Sequence, residues 1–376
     1  MTHRERVLAA INHQEPDRVP IDLGGTFFTT MTAPAWDRLH RYLGLSEDAK
    51  PTVASRRSLT VYPHETVLRR FDVDARPVVT GSPDLNPDRK VSDTELVDEY
   101  GVRWVRAHDG HYINVDGPFY HLEDPTLQDL DRVPWPDPTD AGRYRGLRER
   151  ARWLRETTDY AVILAVGPGP VHLSQFMRGY QAWLEDLLLH QSFFTALLER
   201  LAELHARVIE RALEETQEYV DIVALGDDVG TQNGPLVHPE KYRRLIKPSH
   251  RRIFGAVKRF AKPVLYHTCG SVYALIPDFI DAGVDILNPI QVRAAGMDTR
   301  RLKREFGREL SFWGAIDIQE VLPRGTPAQV RDEVRRRIDD LAPGGGYVLS
   351  ATHNIQPEVP PENLVAMYET AVECGG

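Results

Sequence analysis

VDIVALGDD (220–228), PVLYHTCG (263–270), VDILNP (284–289), LSFWGAID (310–317) and YVLSATHN (347–354) are built alike. Each is a short apolar, β-rich run that gives way to polar or titratable residues. YAVILAV (160–166) is a sixth run of the same composition. Helical stretches separate most of them, at 181–218, 239–260, 272–282, 298–306 and 326–341. Strands alternating with helices imply parallel pairing through helical crossovers. Two earlier runs, at 19–23 and 73–79, raise the count to eight. Eight favours an α/β fold of the (β/α)8 TIM-barrel type over a doubly wound sheet. GPGP (167–170) is not a dinucleotide fingerprint, and no Walker A sequence occurs.

Outward from this run the chain is less regular. Thr2 and Glu5 have capping-box spacing ahead of Val7, Leu8 and Ile11, which predicts a first helix bounded by Pro16 and Pro20. Helices are expected near 35–43 and 64–71. A hairpin is expected over 101–115, with VRWVRA and HYINV flanking Asp109-Gly110. VPWPDPTDAG (133–142) reads as a connection. The whole chain, 1–376, is thus expected to be one barrel domain, with 1–70 and 88–120 as helical and β-hairpin additions.

The 376 residues include 46 Lys and Arg against 55 Asp and Glu, a net charge of −9. That balance argues against a nucleic-acid partner. The two cysteines, Cys269 and Cys374, support no disulfide framework. The N-terminus has no signal-type apolar core, and no stretch approaches the ~20 apolar residues of a membrane span. A cytoplasmic protein without a membrane partner is expected.

In a barrel, chemistry gathers at the C-terminal ends of the strands. Here those ends carry Asp227 and Asp228, then His267 and Cys269, then Asn288 and Gln291, then Asp317, then His353 and Asn354. Alternate residues of an extended segment face one side, so His267 and Cys269 can address one point. Imidazole and thiolate suit zinc, and His353 arrives at the same mouth as a third ligand. Cys374, two residues from the C-terminus, is the rival third ligand. The structural alternative is a hydrogen-bonded histidine beside a small buried cysteine. Asp227 and Asp228 are the candidate catalytic carboxylates, with capping of the following turn as the alternative for one of them. Asn288, Gln291, Asp317 and Asn354 are candidate substrate-binding groups, or else satisfy loop backbone. Phe27 and Phe28 are candidates for lining an apolar pocket.

Several segments together resemble the uroporphyrinogen decarboxylase superfamily, which also holds zinc-dependent, corrinoid-linked methyltransferases. They are RERVLAAINHQEPDRVPIDLGGT (4–26), GDDVGTQNGPLVHPEKYRRLIKP (226–248), HTCGSVYALIPDFIDAGVDILNPIQ (267–291), SFWGAIDIQEVLPRGTPAQV (311–330) and GGGYVLSATHNIQPEVPPENL (344–364). The resemblance implies the barrel, and a homodimer as in the decarboxylases. True decarboxylases carry an Arg-Gln-Ala-Gly-Arg stretch where this chain has VPIDLGGT (19–26). They also carry a Phe-Ser-Asp aspartate where this chain has VVTGSP (78–83). The methyltransferase branch uses His-x-Cys and a later Cys as zinc ligands. His267 and Cys269 match the first two, and His353 stands at the third. The expectation is a zinc-dependent methyltransferase or demethylase, passing a methyl group from a small substrate to a corrinoid on a separate protein or to a thiol. The alternatives are a metal-independent decarboxylase of a small carboxylated substrate and a non-catalytic ligand-binding barrel.

Overall fold

The structure is a computed structural model and describes residues 1–108 and 110–374. Seven parallel strands form one curled sheet: β1 (Ala75–Val79), β2 (Ala161–Pro168), β3 (Ile222–Gly226), β4 (Val264–His267), β5 (Ile286–Asn288), β6 (Ser311–Ile316) and β7 (Tyr347–Ala351). Each pairs with its neighbours in chain order. They are buried almost throughout, which is why they read as continuous apolar runs instead of alternating ones.

The eighth expected strand, 19–23, is reduced to one parallel bridge between Ile21 and Leu349. It still spans the gap between β7 and β1. Asp22 N donates to Leu349 O, Leu349 N to Pro20 O, and Asp74 N to Ile21 O. Pro20 has no N–H to extend the ladder. Past Ile21 the Asp22 carboxylate accepts from Gly25 N at 2.7 Å and turns the chain away. The barrel therefore closes through hydrogen bonds at a single residue step.

Helix α1 (His3–Ile11) starts at the expected Thr2–Glu5 capping box. Its Val7, Ala10 and Ile11 pack with Ala75, Ala161, Ile222 and Trp313 inside the barrel. They plug the end where the strands begin, and the other end remains for a site. The stretch 181–218 is two helices, Tyr180–Leu189 and Gln191–Thr216, broken at His190. The stretch 239–260 is also interrupted. A π-helical turn, Tyr242–Ile246, precedes helix Lys247–Lys258. Pro248 has no N–H for the regular ladder, which widens there.

Two small sheets stand over the open end. One joins Met31–Thr32, Thr60–Tyr62 and Thr52–Ser55; the other joins Arg89–Ser92, Glu95–Val97, Arg103–Arg106 and Tyr112–Asp116. The expected hairpin is the last pair of the second sheet, and its turn residue Asp109 lies outside the described residues. Among the described residues, no helix is long and apolar enough to cross a membrane.

One buried histidine makes stability depend on pH. His205, on helix Gln191–Thr216, is 6% exposed, and its Nε2 has no hydrogen-bond partner among the described residues. Burial pushes it down to about 4, against the opposing pull of Asp227. The unfolded chain takes up this proton near pH 6.5 and the folded chain only near 4, so stability falls as pH drops through that window. The loss at pH 5 is about 2 kcal/mol. His205→Leu is expected to remove that share of the difference between urea melts at pH 7 and pH 5. An unchanged difference would show that His205 ionises freely in the folded protein.

Candidate functional site

Register sets the floor of the site. Gly226 pairs with His267, and His267 with Asn288, so three neighbouring strands end in one row. Asn288 is buried behind His267. Its Nδ2 donates to Trp313 O at 3.0 Å, which leaves Oδ1 to accept from His267 Nδ1 at 2.6 Å. The imidazole is thereby held with Nδ1 protonated and Nε2 facing the mouth. Phe28 lies flat on the other side of the ring, centroids 4.1 Å apart and planes within 6°. Gly226 makes room for it, since a Cβ there would meet Phe28 Cζ at 2.3 Å.

Cys269 Sγ lies 3.4 Å from His267 Nε2. The His353 ring meets the His267 ring edge-on at 5.6 Å. One ligand atom from each of the three residues falls within 4.8 Å of the others. Burial pushes His267 down to about 4, with Asp228 opposing, and pushes His353 below its ordinary value. Burial also drives the Cys269 thiol well above its usual range, and Asp228 adds to the effect. Two neutral imidazoles with their lone pairs available, beside one soft sulfur, match zinc's preference for nitrogen and sulfur donors. Cys374 is exposed at the end of the last helix and is not part of the cluster.

The two adjacent aspartates have separate surroundings. Asp227 is fully buried. It accepts from Val171 N at 3.0 Å and His172 N at 2.8 Å, the first turn of helix Pro170–Arg178. His250 Nε2 approaches it at 3.2 Å. Gly169 permits this cap, because a Cβ there would meet Asp227 Oδ2 at 2.4 Å. Asp228 has a side chain 38% exposed at the mouth, with Oδ2 3.5 Å from His172 Nε2 and Oδ1 4.0 Å from His267 Nε2. Its Oδ1 also accepts from Cys269 N at 2.7 Å. Burial opposes its ionisation, but His172, His267 and the Cys269 N–H outweigh burial and hold the carboxyl well below the usual range. Burial likewise opposes a charge on His172, and Asp228 and Asp227 overcome it and raise that imidazole.

Above this floor is a cavity of about 630 Å³, lined by Phe27, Phe28, His172, Phe176, His353 and Asn354 among others. The profile of the uroporphyrinogen decarboxylase (URO-D) family matches residues 111–374, which include every residue of the floor except Phe28. The chain belongs to the URO-D family. A uroporphyrinogen decarboxylase of Syntrophotalea carbinolica is 25% identical over 59% of this chain and 62% of its own length. A methylated-thiol–coenzyme M methyltransferase of Methanosarcina mazei is 27% identical over 37% of this chain and 34% of its own. The chain thus spans less than two thirds of the length of both relatives. A solved methyltransferase from Methanosarcina mazei superposes with TM-score 0.66 at 17% identity, covering 99% of both chains, and shows the fold.

Within this URO-D fold the other expected residues lie further out. Gln291 accepts from Gly270 N at 2.8 Å and donates to Gln232 at 3.1 Å, so it ties two loops together. Asp317 is buried and accepts from Gln319 N at 2.8 Å, capping its own turn. Asn354 lines the cavity while accepting from Thr30 N at 3.0 Å. His172 was not singled out from sequence. It follows GPGP just past the end of β2, a strand-end position like those of the other groups.

Asn288→Ala is expected to leave the fold intact and weaken metal retention about 10- to 100-fold, as loss of an outer partner does. Competition with a chromogenic chelator measures it. An unaltered affinity would show that Asn288 does not orient His267.

Proposed function

We propose that this URO-D family member is a zinc-dependent methyltransferase or demethylase, passing a methyl group between a small substrate and a corrinoid protein or thiol. The observation that carries the reading is the convergence of His267, Cys269 and His353 ligand atoms within 4.8 Å at the strand ends. The methyltransferase relative and the fold neighbour support it.

His267, Cys269 and His353 would hold the ion. The chemistry it supplies when bound is Lewis-acid polarisation of a methyl-bearing heteroatom or activation of a thiol. The chain's own groups account for the rest. Asn288 fixes the His267 tautomer, and Phe28 prevents the ring from turning. His172 and Asp228 hold a proton at His172 Nε2 beside the cluster, where a heteroatom losing its methyl group needs one. Asp227 holds the helix that carries His172 and keeps no free face for substrate.

The decarboxylase alternative lacks a carboxylate where the resemblance places one. β1 ends at Val79, and Thr80 lines the cavity there. Among the described residues, a single arginine, Arg57, lines the cavity. The test is elemental analysis of protein purified without chelator, followed by methyl-transfer assays with corrinoid and thiol acceptors. About one zinc per chain is expected for a three-ligand site. Protein that takes up no zinc, even when it is supplied, would overturn the reading.

A further inference from the structure

The cavity walls carry information that the metal cluster does not. Six aromatic side chains line it: Phe27, Phe28, Tyr62, Trp104, Tyr112 and Phe176. Among the described residues, no aspartate or glutamate lines it, and its one permanently charged group is Arg57. A volume of about 630 Å³ falls in the range of small-molecule sites.

Arg57 is fixed in place. It sits in the short connection between strands Thr52–Ser55 and Thr60–Tyr62, where its carbonyl accepts from Tyr112 N at 3.1 Å. Its Nη1 donates to Asp98 Oδ2 at 3.1 Å, and its guanidinium lies 4.8 Å from the centre of the Trp104 ring. Asp98 is the buried partner, 3% exposed against 31% for Arg57. That carboxylate is already used by other donors: Trp104 Nε1 at 2.8 Å, Tyr100 N at 2.9 Å and Val102 N at 3.0 Å. The remaining N–H groups of Arg57 donate to no protein acceptor among the described residues. The two small sheets therefore meet at an ion pair that immobilises a guanidinium and leaves part of its fork available. Such a fork suits a planar oxyanion.

We propose that the cavity takes a small organic acid with a flat, apolar body, the body lying among the aromatic walls and the carboxylate held by Arg57. The proposal rests on the reading of this mouth as the substrate site and names the substrate class. A positively charged substrate is disfavoured by Arg57.

Benzoate is the probe, with benzamide as its neutral counterpart and acetate as the acid without a ring. Calorimetric titration of the full chain, with zinc and after zinc removal, is expected to show benzoate binding about tenfold tighter than either, because only benzoate satisfies both fork and walls. Arg57→Met is expected to bring benzoate down to the benzamide level. Arg57→Lys is expected to fall between, since an ammonium has the charge without the fork. Circular dichroism confirms that both variants are folded, and the wild-type contrast stands even if they are not. Equal binding of benzoate and benzamide would overturn the proposal, as would absence of saturable benzoate binding or unchanged benzoate binding by folded Arg57→Met. Zinc analysis reads the metal proposal separately, so either can fail alone.

Discussion

His267→Ala, Cys269→Ser and His353→Ala are each expected to purify without zinc under conditions where the wild-type chain retains about one ion. Methyl transfer is expected to fall by about three orders of magnitude, the scale of the several kcal/mol that a Lewis acid contributes. Three ligands leave one open position on a tetrahedral ion, whereas two ligands leave half its shell to water. His267 is the most severe case. Its ring is fixed by a hydrogen bond to Asn288 at 2.6 Å and by stacking on Phe28 at 4.1 Å, so its loss removes a pre-positioned donor. His353→Cys is the informative converse. It supplies the sulfur that the resembling methyltransferases carry at this position, and zinc is expected to stay. Zinc retained by all three deletions would place the metal elsewhere. Zinc lost from His353→Cys as well would mean that the cluster requires the reach of an imidazole. Metal content and chelator competition are read before any assay, so the result does not depend on knowing the methyl donor.

What was legible in the sequence follows from burial. Strands β2 to β7 are covered on both faces, so their residues are predominantly apolar and stand out. The strand at 19–23 has the same composition, but Pro20 and the turn made by Asp22 shorten it to one bridge. Arg89–Ser92 is exposed along its whole length and carries no hydrophobic alternation to mark it. In the site, His267 and Cys269 were legible because alternate residues of a strand end face together. His353 was legible because the last strand delivers it to the same mouth. Sequence did not separate Asp227 from Asp228, because the cap that occupies Asp227 comes from helix Pro170–Arg178, more than fifty residues earlier. Asn288 was read as a substrate group from its strand-end position. The register that sets it behind His267 belongs to the folded barrel.

Asp74→Ala is expected to be strongly destabilising. Asp74 directly precedes β1 and is fully buried. It accepts from Arg6 Nη1 at 2.6 Å, Arg18 Nη1 at 2.7 Å and Ile21 N at 2.7 Å. One carboxylate thus joins α1, the segment that closes the barrel, and the first strand. Without it, two guanidiniums, each less than a tenth exposed, keep the half-exposed Asp17 and Asp72 as charged partners beside the Met1, Val19 and Asp72 carbonyls, and the Ile21 N–H loses its acceptor. Breaking a buried pair from one side costs about 3–5 kcal/mol. That is a large part of the roughly 5–15 kcal/mol by which a folded domain is stable. Asp74→Asn keeps an acceptor but not the charge and is expected to fall between. Glu156→Ala, which removes the partner of Arg152 in a pair 60% and 51% exposed, is the control and is expected to shift stability by less than about 1 kcal/mol. Urea denaturation measures all three. An Asp74→Ala chain within about 1 kcal/mol of wild type would show that Asp17 and Asp72 suffice for the arginines. The closing segment runs on through Gly24 and Gly25 to Phe28, whose ring lies on His267. Loosening it is therefore expected also to lower the zinc retention proposed for the cluster in the fraction that folds, while Glu156→Ala is expected to leave it unchanged. That difference would tie the barrel's closure to its site.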